Sequence, residues 1–283
     1  MGRKLNIRQS LIFHDYYSRL KNIALSIFKW ENLPETCNEK FLEDCLFKYG
    51  QAVFVKDENM SFLNLCVTPA DTLNVYNEPL AYRAYSTGYS EVYDADKCVI
   101  VRNNRMSKST DSTITLFAER LARIELSIDV NINAQKTPIL IRCDQKTQTS
   151  LEKIYEQYTG DKPVIFGSKS LQDKPLETLT TGAPFVADKL REEKRAVWNE
   201  ALEFLGINTN PSDKKKERLI VDEVDSNNEQ IDIQAQTMQL CREESAERFN
   251  KLWGKDVKVV RRINTIKDLQ PERQDESEVV ENG

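Results

Sequence analysis

Ile12, Tyr16, Leu20, Ile23 and Ile27 recur at steps of three and four, the spacing of one helical face. A long amphipathic helix over 11–28 follows, ended by Leu33-Pro34. Thr36-Cys-Asn-Glu39 then has the form of a capping box, opening a short helix that Gly50 stops. From about Ala52 to Asn103 the apolar positions fall into short runs rich in Val, Tyr, Phe and Thr, separated by Asp, Asn, Pro and Gly. Residues 53–55, 62–65, 81–85 and 99–101 read as strands. No strand–helix–strand alternation interrupts them, so an antiparallel meander is expected rather than a nucleotide-binding sheet.

Residues 112–134 are helical again, with Ile114, Phe117, Leu121, Ile124, Ile128 and Ile132 on one face and Leu116, Ala122, Leu126 and Val130 on another. A helix apolar around much of its circumference must be covered on more than one side, by its own core or by a neighbouring subunit. The pattern alone leaves both open. A strand at 139–141, a short helix opened by Thr149-Ser-Leu-Glu152 and a strand at 163–166 come next. A third long helix runs from after Gly182-Ala-Pro184 to Leu205, with Gly206 in the C′ position. Leu190, Val197, Ala201 and Leu205 share one of its faces, and Lys189 with Glu193 is spaced for an ion pair on another.

Residues 208–225 read as a loop with a basic centre, Lys214-Lys-Lys216. Ser226-Asn-Asn-Glu229 has the form of another capping box, before a helix carrying Met238, Cys241, Ala246, Phe249 and Trp253. Arg261-Arg262 leads into a polar, acidic tail expected to be disordered. The fold class is therefore α+β. Its expected divisions are a short flexible arm (1–10), a helical stem with an α/β wing (11–207), the basic loop (208–225), a helical region (226–260) and the tail (261–283).

Charge narrows the chemistry. With 40 Lys and Arg against 45 Asp and Glu, the formal charge is −5, so any nucleic-acid contact must be local. The longest apolar runs are strand-sized, far short of the roughly 20 residues a membrane helix needs. The first residues lack the apolar core of a secretory signal, so a cytosolic, membrane-free protein is expected. Six scattered cysteines without a C-x-x-C pair fit packed, reduced thiols. The single histidine, His14, lies among Phe13, Tyr16 and Tyr17 and reads as a packing residue, which leaves zinc or triad catalysis without support.

No phosphate-binding loop or dinucleotide fingerprint occurs, so neither ATP nor a cofactor is expected. One enzymatic reading is a magnesium-dependent nuclease using Asp144, Glu152 and Lys153, but Glu152 is already explained by its capping box. A monomeric adaptor is another reading. The Lys214–Lys216 run fits a solvated loop as well as a phosphate contact, since lysine acts on the backbone as a point charge.

Several collinear stretches change this balance. They are Phe28-Lys-Trp-Glu-Asn-Leu-Pro34, Asn133-Ala-Gln-Lys-Thr-Pro-Ile-Leu-Ile-Arg142, Pro163-Val-Ile-Phe166 and Ala183-Pro-Phe-Val-Ala-Asp-Lys-Leu190. Ala196-Val-Trp-Asn-Glu200, Phe204-Leu-Gly-Ile207, Lys215-Lys-Glu-Arg218, Asp222-Glu-Val224 and Asn228-Glu-Gln-Ile231 follow in order. Together they resemble the portal, or upper collar, proteins of small short-tailed bacteriophages with protein-primed linear DNA genomes.

The resemblance implies a non-enzymatic subunit of a dodecameric ring at the capsid vertex, through which double-stranded DNA is packaged and ejected. Three long helices would form the central wall, the β-rich residues a wing, and the helices after Ser226 the wide end. Channel contacts would fall to Lys189, Lys214, Lys215, Lys216 and Arg218. Subunit contacts would fall to Ile114, Phe117, Leu121, Ile124, Ile128 and Trp198, because packing that closes into a ring buries two different faces of each copy. The implied partners are further copies of the chain, DNA, major capsid and scaffolding proteins, a lower collar or tail protein and a separate packaging ATPase. A channel lysine of the family is replaced here by Thr180. The family's basic RNA-binding arm shrinks to Arg3, Lys4 and Arg8, so a packaging RNA is not carried over.

Overall fold

The computed structural model describes residues 2–135, 139–142, 164–167, 176–178, 184–209 and 221–263. Side chains are described only outside 1–7, 136–183, 210–234 and 264–283. Two compact units emerge, one of Met1–Ile12 with Arg120–Ala196 and one of Phe13–Glu119 with Val197–Gly283.

The first helix, α1 (Gly2–Ser26), begins in the smaller unit, enters the larger one at Phe13 and gives way there to β1 (Phe28–Glu31). The three-and-four spacing stops at Ile27, where alternation takes over: Phe28 and Trp30 are buried and Lys29 is exposed. The helix thus ends well before Leu33-Pro34, and Phe28–Glu31 is a strand. Residues 2–10, expected as a flexible arm, are helical. Arg3, Lys4 and Arg8 therefore do not precede the helix but belong to it. β1 pairs antiparallel with β10 (Lys258–Arg261), in a region where no strand was expected.

The short helix α2 (Glu39–Tyr49) ends at Gly50 as anticipated, with φ +78 and its N–H on the Leu46 carbonyl. A side chain there is excluded twice over, because an added Cβ would lie 2.2 Å from the Ser107 carbonyl oxygen. The N-cap is Asn38, whose Oδ1 accepts from Phe41 N at 2.9 Å. Thr36, expected in that role, instead donates its hydroxyl to Phe62 O at 2.6 Å. A threonine two residues early finds a better acceptor on the neighbouring strand.

β2 (Gln51–Asp57), β3 (Ser61–Pro69), β4 (Ala81–Ser86) and β5 (Tyr89–Asp94) form the expected antiparallel meander. β6 (Val99–Arg102) returns to the far side of β2, giving the order β5-β4-β3-β2-β6. β5 escapes the pattern reading because most of its residues are exposed. β2 is internal and covered on both faces, which explains its unbroken buried run. Val53 and Val55 join Leu65, Val67, Tyr82 and Ala84 on one side. On the other, Phe54 packs edge-on to Trp30 and Phe249, at centroid distances of 5.6 and 5.0 Å.

The third helix, α3 (Asp111–Gln135), runs from the larger unit into the smaller one. A three-stranded sheet follows, ordered β8-β7-β9, from β7 (Ile139–Arg142), β8 (Val164–Gly167) and β9 (Leu176–Thr178). β7 and β8 are parallel and β7 and β9 antiparallel. Then come α4 (Ala187–Phe204) and α5 (Val221–Trp253). Ser226 lies inside α5, so its box does not open a helix. Arg261 donates to the Leu205 and Gly206 carbonyls, satisfying acceptors at the end of α4. The expected disordered tail keeps ordered structure as far as Ile263, and the rest of it, with the Thr149 box and Asp144, Glu152, Lys153 and Thr180, lies outside the described residues.

Candidate functional site

Lys189 sits in the first turn of α4 and is exposed. The expected pair with Glu193 does not form; ion pairs near it run from Arg191 to Asp188 and from Lys194 to Glu125 on α3, the latter at 2.9 Å. The start of α4 is held by Asn131 of α3, which donates to Pro184 O and accepts from Val186 N. Lys214, Lys215, Lys216 and Arg218 lie outside the described residues. His14 is exposed, with an edge contact to Phe13, and not a buried packing residue.

The candidate subunit-contact residues divide. Ile114 and Leu121 are fully buried in the single chain, and Phe117 and Ile128 nearly so. Phe117 faces Phe204 of α4 at 6.1 Å. These side chains have almost no surface left to offer another copy, because the face read as subunit-facing is the one this chain covers itself. Ile124 is half-buried, as is Trp198, whose ring lies 6.3 Å from Tyr16. The surface that α3 leaves open is elsewhere, at Leu116 (62% exposed), Val130 (60%) and Ile132.

The β3–β4 connection is a second open apolar surface. Val75 and Tyr76 are 89% and 81% exposed. Their turn is nonetheless ordered, with Asn74 Oδ1 accepting from the N–H groups of Tyr76 and Glu78. A Leu73–Pro79 bridge closes it.

The strongest electrostatic feature is buried. Arg242 of α5 and Glu43 of α2 are each 3% exposed and pair in fork geometry. Glu43 also accepts from Trp30 Nε1 at 2.8 Å. Arg242 donates further to Met238 O, Asn103 O and Asn103 Oδ1, and its guanidinium lies 4.2 Å over the Phe28 ring. Asn103 in turn donates to Lys108 O and Thr110 Oγ1. One network thus ties together β1, α2, the end of β6 and α5. The sequence carried a signal for it, unused: Arg242 interrupts the apolar spacing of Met238, Cys241, Ala246 and Phe249.

Beside this network a cavity of about 280 Å³ opens on Arg102, Arg105, Arg248, Glu244 and Cys241. Its guanidiniums are engaged: Arg105 with Glu244 at 2.8 Å, Arg248 with Ala95 O and Arg102 with Glu78. Burial pushes the Cys98 thiol up to about 11 and the Cys37 thiol up to about 12, which disfavours the thiolate of each. Among the described residues no cluster of His, Cys, Asp and Glu could hold a metal ion, and no helix is long and apolar enough to cross a membrane.

Comparison with known proteins adds the remaining finding. A family described as Phage Connector (GP10) matches residues 2–266. Among solved structures, the portal and tail of native bacteriophage P68 aligns at 16% identity, covering 91% of this chain and 88% of the other, with a TM-score of 0.48. The virion of a native gene transfer agent particle aligns at 10% identity, covering 90% and 81%, with a TM-score of 0.44. An HK97 family phage portal protein from Corynebacterium diphtheriae aligns at 11% identity, covering 87% and 91%, with a TM-score of 0.43.

Proposed function

The chain belongs to the phage connector family, and on that premise we propose that its copies close into a dodecameric ring at the capsid vertex through which double-stranded DNA is packaged and later released. It is a structural component of the virion that connects head to tail. The match over residues 2–266 carries this reading.

In the ring, Lys189 and the segment with Lys214, Lys215, Lys216 and Arg218 touch passing phosphates as point charges. Weak contacts of this kind suit transport, since a channel gripping every phosphate would hold the DNA still. Neighbouring copies meet on the surface the chain leaves open, including Leu116, Ile124, Val130 and Ile132 of α3 and Trp198 of α4. Ile114, Phe117, Leu121 and Ile128 instead hold α3 within its own chain. Capsid and scaffolding proteins and a lower collar protein contact the ring. The packaging ATPase is a separate protein, because this sequence has no phosphate-binding loop. The chain performs no catalysis of its own and needs no packaging RNA. The phage it serves is of the small, short-tailed, protein-primed kind.

Native mass spectrometry and electron microscopy of the purified protein test this together. Closed rings with a pore wide enough for duplex DNA are expected. Monomers alone at micromolar concentration, across several salts, would overturn the proposal.

A further inference from the structure

Helix α2 is fastened to strand β3 at three places along its approach. Thr36 donates its hydroxyl to Phe62 O, Asn38 N donates to Asn64 Oδ1 at 2.6 Å, and Asn64 Nδ2 donates back to Asn38 O at 3.0 Å. The third place is a pair of sulfurs: Cys45 Sγ of α2 lies 3.0 Å from Cys66 Sγ of β3. Both thiols are buried, at 2% and 8% exposure. Among the described residues no other two cysteines touch, and all five described cysteines are free.

We propose that Cys45 and Cys66 form an oxidation site, where an intrachain disulfide staples α2 to β3 once the protein leaves a reducing environment. A disulfide sets its sulfurs roughly 2.0 Å apart, about 1 Å closer than they stand here. The asparagine clasp fixes helix against strand on the same junction, so closure needs side-chain adjustment and no repacking of the sheet. Resting on the connector reading, the two environments are real. The chain is made in a host cytosol that keeps thiols reduced and then travels in a particle outside the cell.

The chemistry balances with a small disulfide such as oxidised glutathione as oxidant. Cys66, the more exposed thiol, loses its proton and attacks one glutathione sulfur, releasing a first glutathione thiolate. Cys45, deprotonated in turn, attacks the Cys66 sulfur of the mixed disulfide and releases the second. Two thiols have lost two protons and two electrons, and the electrons reside on two reduced glutathiones. Burial, with the neighbouring Cys66 sulfur, holds the Cys45 thiol well above its usual range. The reaction is accordingly slow at neutral pH.

The test uses the full chain, held in glutathione buffers from fully reduced to fully oxidised, then denatured, alkylated and digested for mass spectrometry. The expected result is one crosslinked species joining the Cys45 and Cys66 peptides, two hydrogens lighter than their sum. It should form in oxidised buffer and be reversed by reductant. The oxidised protein should unfold at a higher denaturant concentration than the reduced one, and Cys45→Ala should abolish that gap. Cys45 and Cys66 alkylated separately after prolonged oxidation would overturn the proposal, and so would glutathione left on Cys66 without a crosslink. The mass readout on the unaltered chain stands even if the alanine variant folds poorly. A crosslink in protein that never forms rings would sink the connector reading alone; rings without a crosslink would sink only the staple.

Discussion

Arg242 holds both carboxylate oxygens of Glu43, donating to them at 3.0 and 2.8 Å across 199 residues of chain. Removing one partner leaves the other charged and buried, which costs roughly 3–5 kcal/mol for pairs of this kind, whereas replacing both by apolar residues of similar size is often tolerated. Glu43→Ala should therefore lower stability by about that amount. Glu43→Leu combined with Arg242→Met should recover much of it. Urea unfolding of the three proteins checks the order. A Glu43→Ala variant as stable as the unaltered chain would show that water replaces the carboxylate.

On α3, Ile114 is fully buried and Leu116 is exposed, two residues apart. Ile114→Ala should destabilise the chain by about 2–4 kcal/mol, the cost of a cavity in a packed core. Leu116→Glu should leave the folded subunit within about 0.5 kcal/mol of the original, as surface changes do, and weaken ring formation. Calorimetry read beside native mass spectrometry separates the two. Normal rings from Leu116→Glu would remove that residue from the subunit contact.

Replacing Lys214, Lys215 and Lys216 together by alanine should spare ring assembly, because the segment has few apolar residues to bury. The defect should come late, as particles that package DNA and fail to keep it. Adding Lys189→Ala should flatten the salt dependence of DNA binding by the purified ring, since fewer phosphates are neutralised. Genome content per particle is the decisive measurement, and normal retention would leave the lysines as solvated surface.

Acid should weaken the fold through Asp44. Burial pushes its carboxyl up, but the ammonium groups of Lys21 and Lys48 outweigh that and hold it below the usual carboxylate range. A carboxylate with a depressed folded value stabilises the fold above its unfolded value of about 3.9 and loses that contribution as pH falls through the folded one. Asp44→Asn should thus be less stable than the original at pH 7, with the difference shrinking below about pH 4. Equal differences at pH 7 and pH 3 would show the two ion pairs to be inert.

Much of this architecture is visible in the residue pattern where one face alone is buried, as in α2 and α4, and where short apolar runs stand between polar turns, as in β2 to β4. The reading fails where the chain changes period without a breaker. Phe28–Glu31 continues directly from α1, and only its partner β10, far along the sequence, makes it a strand. Capping boxes misled twice. Thr36 found an acceptor on β3, a tertiary partner that outbid the local hydrogen bond, and Ser226 sits within α5, which begins before it at Val221. The apolar girth of α3 marked two faces, but only the one carrying Ile114, Phe117, Leu121 and Ile128 is covered by the chain itself, while Leu116 and Val130 stay exposed. The Arg242–Glu43 network is only half legible: a charge on an apolar face marks a pair, while its partner lies on another element.

The ladder joining Phe28–Glu31 to Lys258–Arg261 has a consequence for how the protein is made. A ribosome adds about 5–20 residues per second, so the first strand waits on the order of tens of seconds before its partner is synthesised. During that interval Phe28 and Trp30, with Phe54 behind them, lie uncovered in the nascent chain, an adhesive patch in a crowded cell. A message cut short before residue 258 would leave that patch open for good, so incomplete subunits would be drawn to aggregation and quality control before they could enter a ring.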